Sequence, residues 1–155
     1  MAVETWIDEI AKLAGTVSNG RGGKVRSYQV FNKAEFPEAL TVFPCAITYT
    51  SEVRMEYSLG GPCVDLWYGM TEFHLTPGTA KSDYPYIMRF FARIKAAFAG
   101  KMTLGGKVAY FQLRTDEAGL QGPVVLQYGG EEPHLGIVAR WLVKEDTSGD
   151  FTVAV

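Results

Sequence analysis

The stretch S-D-Y-P-Y-I-M-R-F-F-A-R-I-K-A-A-F-A-G, residues 82–100, restricts the folds that the rest of the chain can adopt. Its apolar residues recur at helical spacing and form one stripe, made of Ile87, Phe90, Phe91, Ile94 and Phe98. Ser82 or Asp83 can cap the start, Pro85 suits the first turn, and Gly100 can become left-handed at the end. The stretch predicts one long helix, about 82–99, whose broad apolar face needs a partner of similar width.

A second, shorter helix is predicted near the N-terminus, over about 5–14. One face of it carries three apolar residues, Trp6, Ile10 and Leu13. Thr5 and Asp8 have the spacing of a capping box, and Gly15 follows the last turn.

Most of the remaining chain is predicted to form strands. The candidate strands are residues 25–31, 44–50, 52–57, 63–75, 108–114, 124–128, 135–144 and 151–155. Gly60-Gly61-Pro62 is a sharp turn signal, so residues 55–68 read as a hairpin, and Gly69 marks a possible bulge. In the strand 135–144, five apolar residues share one face: Leu135, Ile137, Ala139, Trp141 and Val143.

These elements predict an α+β fold in a single domain, residues 1–155. A mainly antiparallel sheet packs against the long helix, with the short N-terminal helix beside it. The C-terminal segment, about 148–155, is predicted to end in a short uncharged strand that would be a sticky edge unless it pairs with another strand.

The composition is that of an ordinary globular protein. The chain has 155 residues, 47% of them hydrophobic and 21% charged, and its net charge of −2 provides no global basic field for nucleic acid or acidic membranes. It contains no apolar run long enough to span a membrane and no signal-peptide pattern, so a soluble intracellular protein is expected. Cys45 and Cys63 are expected to be buried free thiols.

No residue pattern indicates catalysis. His74 and His134 have no partners at metal-ligand spacing, and no nucleophile elbow is present. The loop carboxylates, Asp116, Glu117, Glu131 and Glu132, are expected to be solvated. We therefore predict no catalytic residue, no metal site and no cofactor. Tyrosines on the predicted strands suit either a protein-binding surface or the core.

The glycine-rich stretch T-V-S-N-G-R-G-G-K, residues 16–24, is predicted to be a mobile polar loop. Arg21 beside Gly22 and Gly23 is a weak match to an RNA-binding tract, because only one copy is present. A phosphate-binding loop is not predicted, since no Gly-Lys-Ser/Thr opens a helix after it.

Several short strings carry a family resemblance. From Thr103 onward, T-L-G-G-K-V and then Y-G-G-E-E-P-H-L-G-I-V-A-R-W-L-V resemble the C-terminal half of tail terminator proteins of long-tailed siphophages. The first half is similar in element order, with F-P-C-A-I-T-Y as its proline-bounded strand and a glycine-rich hairpin leading into the strand around residues 66–73. The extension D-T-S-G-D-F-T-V-A-V is not a constant feature of that family.

The resemblance implies an assembly protein without covalent chemistry. Tail terminators form a ring, usually a homohexamer, that caps the head-proximal end of the tail tube, ends tube polymerisation and presents a surface for head attachment. The implied partners are further copies of the chain, the tail tube protein and a head-completion or neck protein, with the tape measure protein as a further candidate. Genome DNA would pass through the ring without sequence-specific binding. The implied location is the virion tail, assembled in the host cytoplasm, with no membrane contact.

Two segments are candidate interfaces. Phe151, Val153 and Val155 can add a strand to the sheet of a neighbouring subunit. Arg21 and Lys24 can contact tube subunits or the lumen. Two alternatives remain open. One is another head–tail joining protein, such as a tail-completion or neck subunit. The other is an unrelated module, either a small-ligand binder or a hydrolase whose cysteines and histidines meet only in space.

Overall fold

The computed structural model describes residues 3–31, 39–56, 63–129 and 132–146. In chain order the elements are helix α1 (Val3–Ala14), strands β1 (Arg26–Gln29), β2 (Cys45–Glu56) and β3 (Val64–Pro77), a 3₁₀ turn (Lys81–Asp83), helices α2 (Tyr84–Met88) and α3 (Phe90–Ala99), and strands β4 (Tyr110–Leu113), β5 (Leu120–Leu126) and β6 (His134–Asp146). The predicted strand 151–155 and the tip of the predicted hairpin, residues 57–62, lie outside the described residues.

The strands form one six-stranded sheet in the order β1-β2-β3-β6-β4, with β5 also paired to β6. The predicted α+β class is confirmed, but the sheet is mixed. β1 and β2 pair in parallel, with Arg26 opposite Cys45, whereas the other four pairings are antiparallel.

The predicted long helix is present but bent. It starts as a 3₁₀ turn and breaks at Arg89, which separates α2 from α3. Pro85 lies in the first turn of α2 as expected. The capping predictions are wrong: no side chain caps these starts, and Gly100 has a φ of −85°, which is not left-handed.

The predicted apolar stripe of this helix packs on the sheet. Four of its five residues are buried, namely Ile87, Phe90, Ile94 and Phe98. Phe91 is only half-buried and packs against the edge of the same core. Phe98 contacts the rings of Phe73 and Phe111, at centroid distances of 6.2 and 5.7 Å, which brings α3 onto β3 and β4.

Helix α1 packs beside α3 on the same face of the sheet. The Trp6 ring lies edge-on to Trp67 and Trp141, at centroid distances of 5.6 and 5.9 Å, and its indole N–H donates to Glu145 at 3.2 Å. Because α1 begins at Val3, Thr5 lies within the helix. The predicted capping box is therefore wrong.

Strand β2 joins two stretches that the sequence predicts as separate strands. The extra residue Ser51 shifts the register between Thr50 and Glu52, so the irregularity lies on β2 and not at Gly69 on β3. A Cβ at position 69 would overlap the ring of Trp141. Gly69 is therefore a site of close packing.

The two faces of the sheet are distinct. The predicted apolar face of β6 lies in the core under the helices, together with Phe73 of β3 and Phe111 of β4. A smaller cluster packs on the opposite face around Leu40, Cys45 and Ile47. Cys45 and Cys63 are both buried free thiols, as predicted.

Candidate functional site

The loop that carries Arg21 and Lys24 is tied to the helices. The Asn19 carbonyl accepts a hydrogen bond from the Tyr86 hydroxyl at 3.0 Å, and Arg93 donates to the Ser18 carbonyl at 3.4 Å. The Asn19 side-chain oxygen accepts the N–H groups of Arg21 and Gly23, at 2.7 and 3.0 Å. The sequence predicts a mobile loop, whereas the structure holds these residues in a turn against α2 and α3.

Two guanidinium groups of this region rest on aromatic rings. Arg21 lies 4.6 Å from the ring centroid of Tyr86, and Arg93 lies 5.0 Å from that of Phe90. The two rings pack edge to face at 5.1 Å. Arg21 and Lys24 are exposed. The structure therefore presents both predicted basic residues on the surface.

The face of the sheet away from the helices carries an arginine–tyrosine cluster that no sequence pattern indicated. Tyr68 of β3 lies between Arg54 of β2 and Arg114, which follows β4, at 4.8 and 4.5 Å from the ring centroid. Arg114 also bonds Asp116 at 2.6 Å, which holds the pKa of that carboxyl at about 2. Alternation along β3 places Tyr68 on this face. The two arginines come close to it only because β2, β6 and β4 pair with β3 and with one another in this register.

A polar group continues this face along β3. The Tyr49 hydroxyl donates to the Met70 sulfur at 3.7 Å, and burial raises the pKa of Glu72, one position further along the same face. Leu66, Met70 and Leu142 are half-buried here. Aromatic, methionine and arginine side chains that remain partly exposed are typical of protein–protein interfaces.

His74 and His134, far apart in the sequence, meet at the end of the sheet where β3 finishes and β6 begins. Their Nδ1 atoms are 3.0 Å apart, so one ring donates its Nδ1 proton to the other. The ring centroids of His134 and Phe43 are 4.8 Å apart, and those of His74 and Tyr128 are 6.4 Å apart. Burial, followed by the nearby His134, lowers the pKa of His74 to about 4. His74 is therefore neutral at pH 7.

Cys45 lies directly opposite His74 in the register of β2 and β3. The structure thus does bring a cysteine and two histidines together, which the sequence could not show. Cys45 and His74 are both 0% exposed, so neither side chain lies on the surface. Among the described residues, no group of three or more histidines, cysteines or carboxylates is arranged to hold a metal ion. The arrangement suits packing at the sheet end.

The other predicted interface residues, Phe151, Val153 and Val155, lie outside the described residues. None of the helices that the structure describes, the longest of which has 12 residues, has the length and apolar character needed to cross a bilayer. No family model matches the chain, and no curated protein matches it either.

Proposed function

We propose that this chain is a structural virion-assembly protein of the tail-terminator kind. Copies of it form a ring on the head-proximal end of a siphophage tail tube, where the ring ends polymerisation and receives the head. The proposal is supported by the T-L-G-G-K-V and H-L-G-I-V-A-R-W-L-V strings, which here form the segment before β4 and most of β6.

The observation that carries the proposal is the group of partly exposed side chains on the face of the sheet away from the helices. In the described part of the chain, the three helices pack on one face only, around Trp141 and Phe73. On the other face, the exposed Arg54 and the half-buried Arg114 cover the buried ring of Tyr68, and half-buried side chains lie beside them. Partly exposed arginine, methionine and leucine side chains at one place give the subunit a surface for other proteins, as a ring between tube and head requires.

The C-terminal segment supplies a second contact in this proposal. Phe151, Val153 and Val155 alternate with Thr152 and Ala154, so one side of an added strand is apolar. Deleting residues 148–155 is expected to weaken oligomerisation and to leave the subunit folded. Light scattering of the deletion variant at several concentrations measures the first effect, and far-UV circular dichroism measures the second. A folded variant that assembles like the full chain would contradict this role.

Electron microscopy of a phage lysate made without this gene product tests the function itself. Tails of irregular, overgrown length beside filled, tailless heads are expected, because nothing then stops the addition of tube subunits. Tails of normal length that fail to join heads would assign the protein to the tail-completion or neck class. Intact virions would overturn the proposal.

A further inference from the structure

The charged side chains of the described residues are sorted towards the two ends of the strands. One end, where β2 and β6 finish and β3 begins, is acidic. There Asp65 lies opposite Glu145, and Val64 pairs with both Glu56 and Asp146. The start of α1 lies at the same end, because Trp6 bonds Glu145. We name this the acidic end. Among the described residues it has five carboxylates that are at least partly exposed, on Glu4, Glu52, Glu56, Asp65 and Asp146, while Glu145 is buried. Three cations lie at the same end, on Arg54, Lys144 and Lys107, which precedes β4 there.

The other end, where β2 begins and β3 finishes, is basic. β1 starts here with Arg26 opposite Cys45, and the loop with Arg21 and Lys24 immediately precedes it. Arg93 reaches this loop from α3. In the part of the chain that the structure describes, the basic end has six cations, on Arg21, Lys24, Arg26, Lys81, Arg89 and Arg93, against two carboxylates, on Asp83 and Glu132.

The two ends are far apart, because β2 connects them with 12 residues and a strand rises about 3.3 Å per residue. Within the described part of the chain, no ion pair joins Arg21, Lys24 or Arg89 to a carboxylate. Among the described residues, the six cations of the basic end thus outnumber its two carboxylates, although the whole chain has a net charge of only −2.

We propose that the basic end of one subunit docks on the acidic end of a second copy. This proposal rests on the ring proposed above and names the two surfaces that meet in it. A cyclic ring requires two different patches that join head to tail, and opposite charges at opposite ends of one subunit meet that requirement. A twofold dimer through either end would instead bring like charges together. Each end also exposes one methionine, Met55 at 58% and Met88 at 54%, which can add apolar contact.

Such a contact depends on salt. Exposed ion pairs are individually weak, and interactions beyond the Debye length, about 8 Å at physiological ionic strength, are screened. The charges therefore orient the subunits and speed their encounter, and assembly is expected to weaken as the salt concentration rises.

Charge reversal on each surface tests the proposal. One variant carries Arg21→Glu and Lys24→Glu, and the other carries Glu52→Lys and Glu56→Lys; all four side chains are exposed. The first variant leaves four cations against four carboxylates at its basic end, and the second leaves three carboxylates against five cations at its acidic end. Neither variant alone retains two ends of opposite charge, so at low salt its self-association is expected to fall at least tenfold. An equimolar mixture should recover the wild-type mass, because the unaltered acidic end of the first variant meets the unaltered basic end of the second, and the introduced glutamates face the introduced lysines. Multi-angle light scattering measures the molar mass of the two variants and of their mixture.

A matched control reverses two exposed cations away from both ends, Lys95→Glu and Lys101→Glu, and changes the net charge as much as the first variant does. It is expected to assemble like wild type. Thermal melts confirm that every variant is folded. Wild-type assembly by each variant alone, folded variants whose mixture stays monomeric, or a wild-type chain that is monomeric at low salt would each overturn this contact. Overgrown tails in the deficient lysate would support the proposed function whatever the result here, so the two failures can be told apart.

Discussion

The two faces of the sheet differ in how deeply their side chains are buried, although the same strands contribute to both. Side chains that point from β3 and β6 towards the helices, such as Phe73 and Trp141, are fully buried among other rings. On the same strands, the side chains that point away, such as Met70 and Leu142, remain half-buried beside arginines and carboxylates. The comparison shows that the face under the helices is buried throughout, whereas the other face is packed around Cys45 and Ile47 and stays partly accessible around Met70 and Leu142.

Alanine substitutions on the two faces of β3 are expected to have the largest and most contrasting effects. Phe73→Ala removes a fully buried ring and should cost about 3–5 kcal/mol of the free energy of unfolding, because the cavity cannot collapse against Phe98 and Ile137. Met70→Ala, three positions away on the other face, should cost about 1 kcal/mol, since its side chain is already partly in water. Urea unfolding of both variants measures the difference. Equal costs would contradict the distinction between the faces.

The histidine pair should make stability depend on pH. The pKa of His74 is about 4 in the folded protein and near 6.5 in the unfolded chain, so between these values the unfolded state binds more protons. The free energy of unfolding should therefore fall as the pH drops from 6.5 to 4, by up to about 3 kcal/mol, and this contribution should not change further below pH 4.

A variant separates this effect from that of the carboxylates. Burial raises the pKa values of Glu72 and Glu145, so their protonation on acidification favours the folded state and acts in the opposite direction. His74→Gln retains these carboxylates but cannot titrate at position 74. The stability difference between wild type and His74→Gln, measured by chemical unfolding at several pH values, should shrink as the pH falls. A difference that is constant with pH would show that His74 does not carry the effect.

The smallest effect on stability is expected for Arg54, which lies on the face of the sheet away from the helices. Arg54→Gln removes a cation from the Tyr68 ring and an ion pair to Glu52 at 3.5 Å, in which both side chains are about half exposed or more. Because water screens such contacts, the free energy of unfolding should change by less than about 1 kcal/mol. A loss as large as that of Phe73→Ala would mean that this face also contributes to the stability of the isolated subunit. Thermal melts at low and high salt provide the comparison.

Much of the fold could be predicted because the spacing of apolar residues indicates which side of a helix or strand is buried. The stripe around Phe90 and Ile94, and the five-residue face of β6, repeat at the spacings of a helix and a strand, and both are buried as expected. Helix ends were predicted poorly. Residues with capping chemistry such as Asp83 and Gly100 can adopt other conformations once packing fixes the chain around them.

Of the candidate surfaces, the sequence indicated single residues but not their surroundings. Arg21 and Lys24 were recognised from composition, whereas the aromatic rings that order their loop come from α2 and α3, more than sixty residues later in the chain. The Arg54–Tyr68–Arg114 cluster requires the register of β2, β3, β6 and β4 at once. No local pattern contains that register.

The sequence by itself determined which segments are helices and strands and which of their faces are apolar. The reason is that backbone geometry fixes the side of a helix or strand on which each side chain lies. Only the tertiary structure decided that β1 and β2 run parallel, that Gly69 makes room for Trp141, and that His74 meets His134. The sorting of charge between the two strand ends likewise appears only when the strands are aligned. These features depend on contacts between residues distant in sequence, and such contacts are chosen by the packing of the whole core.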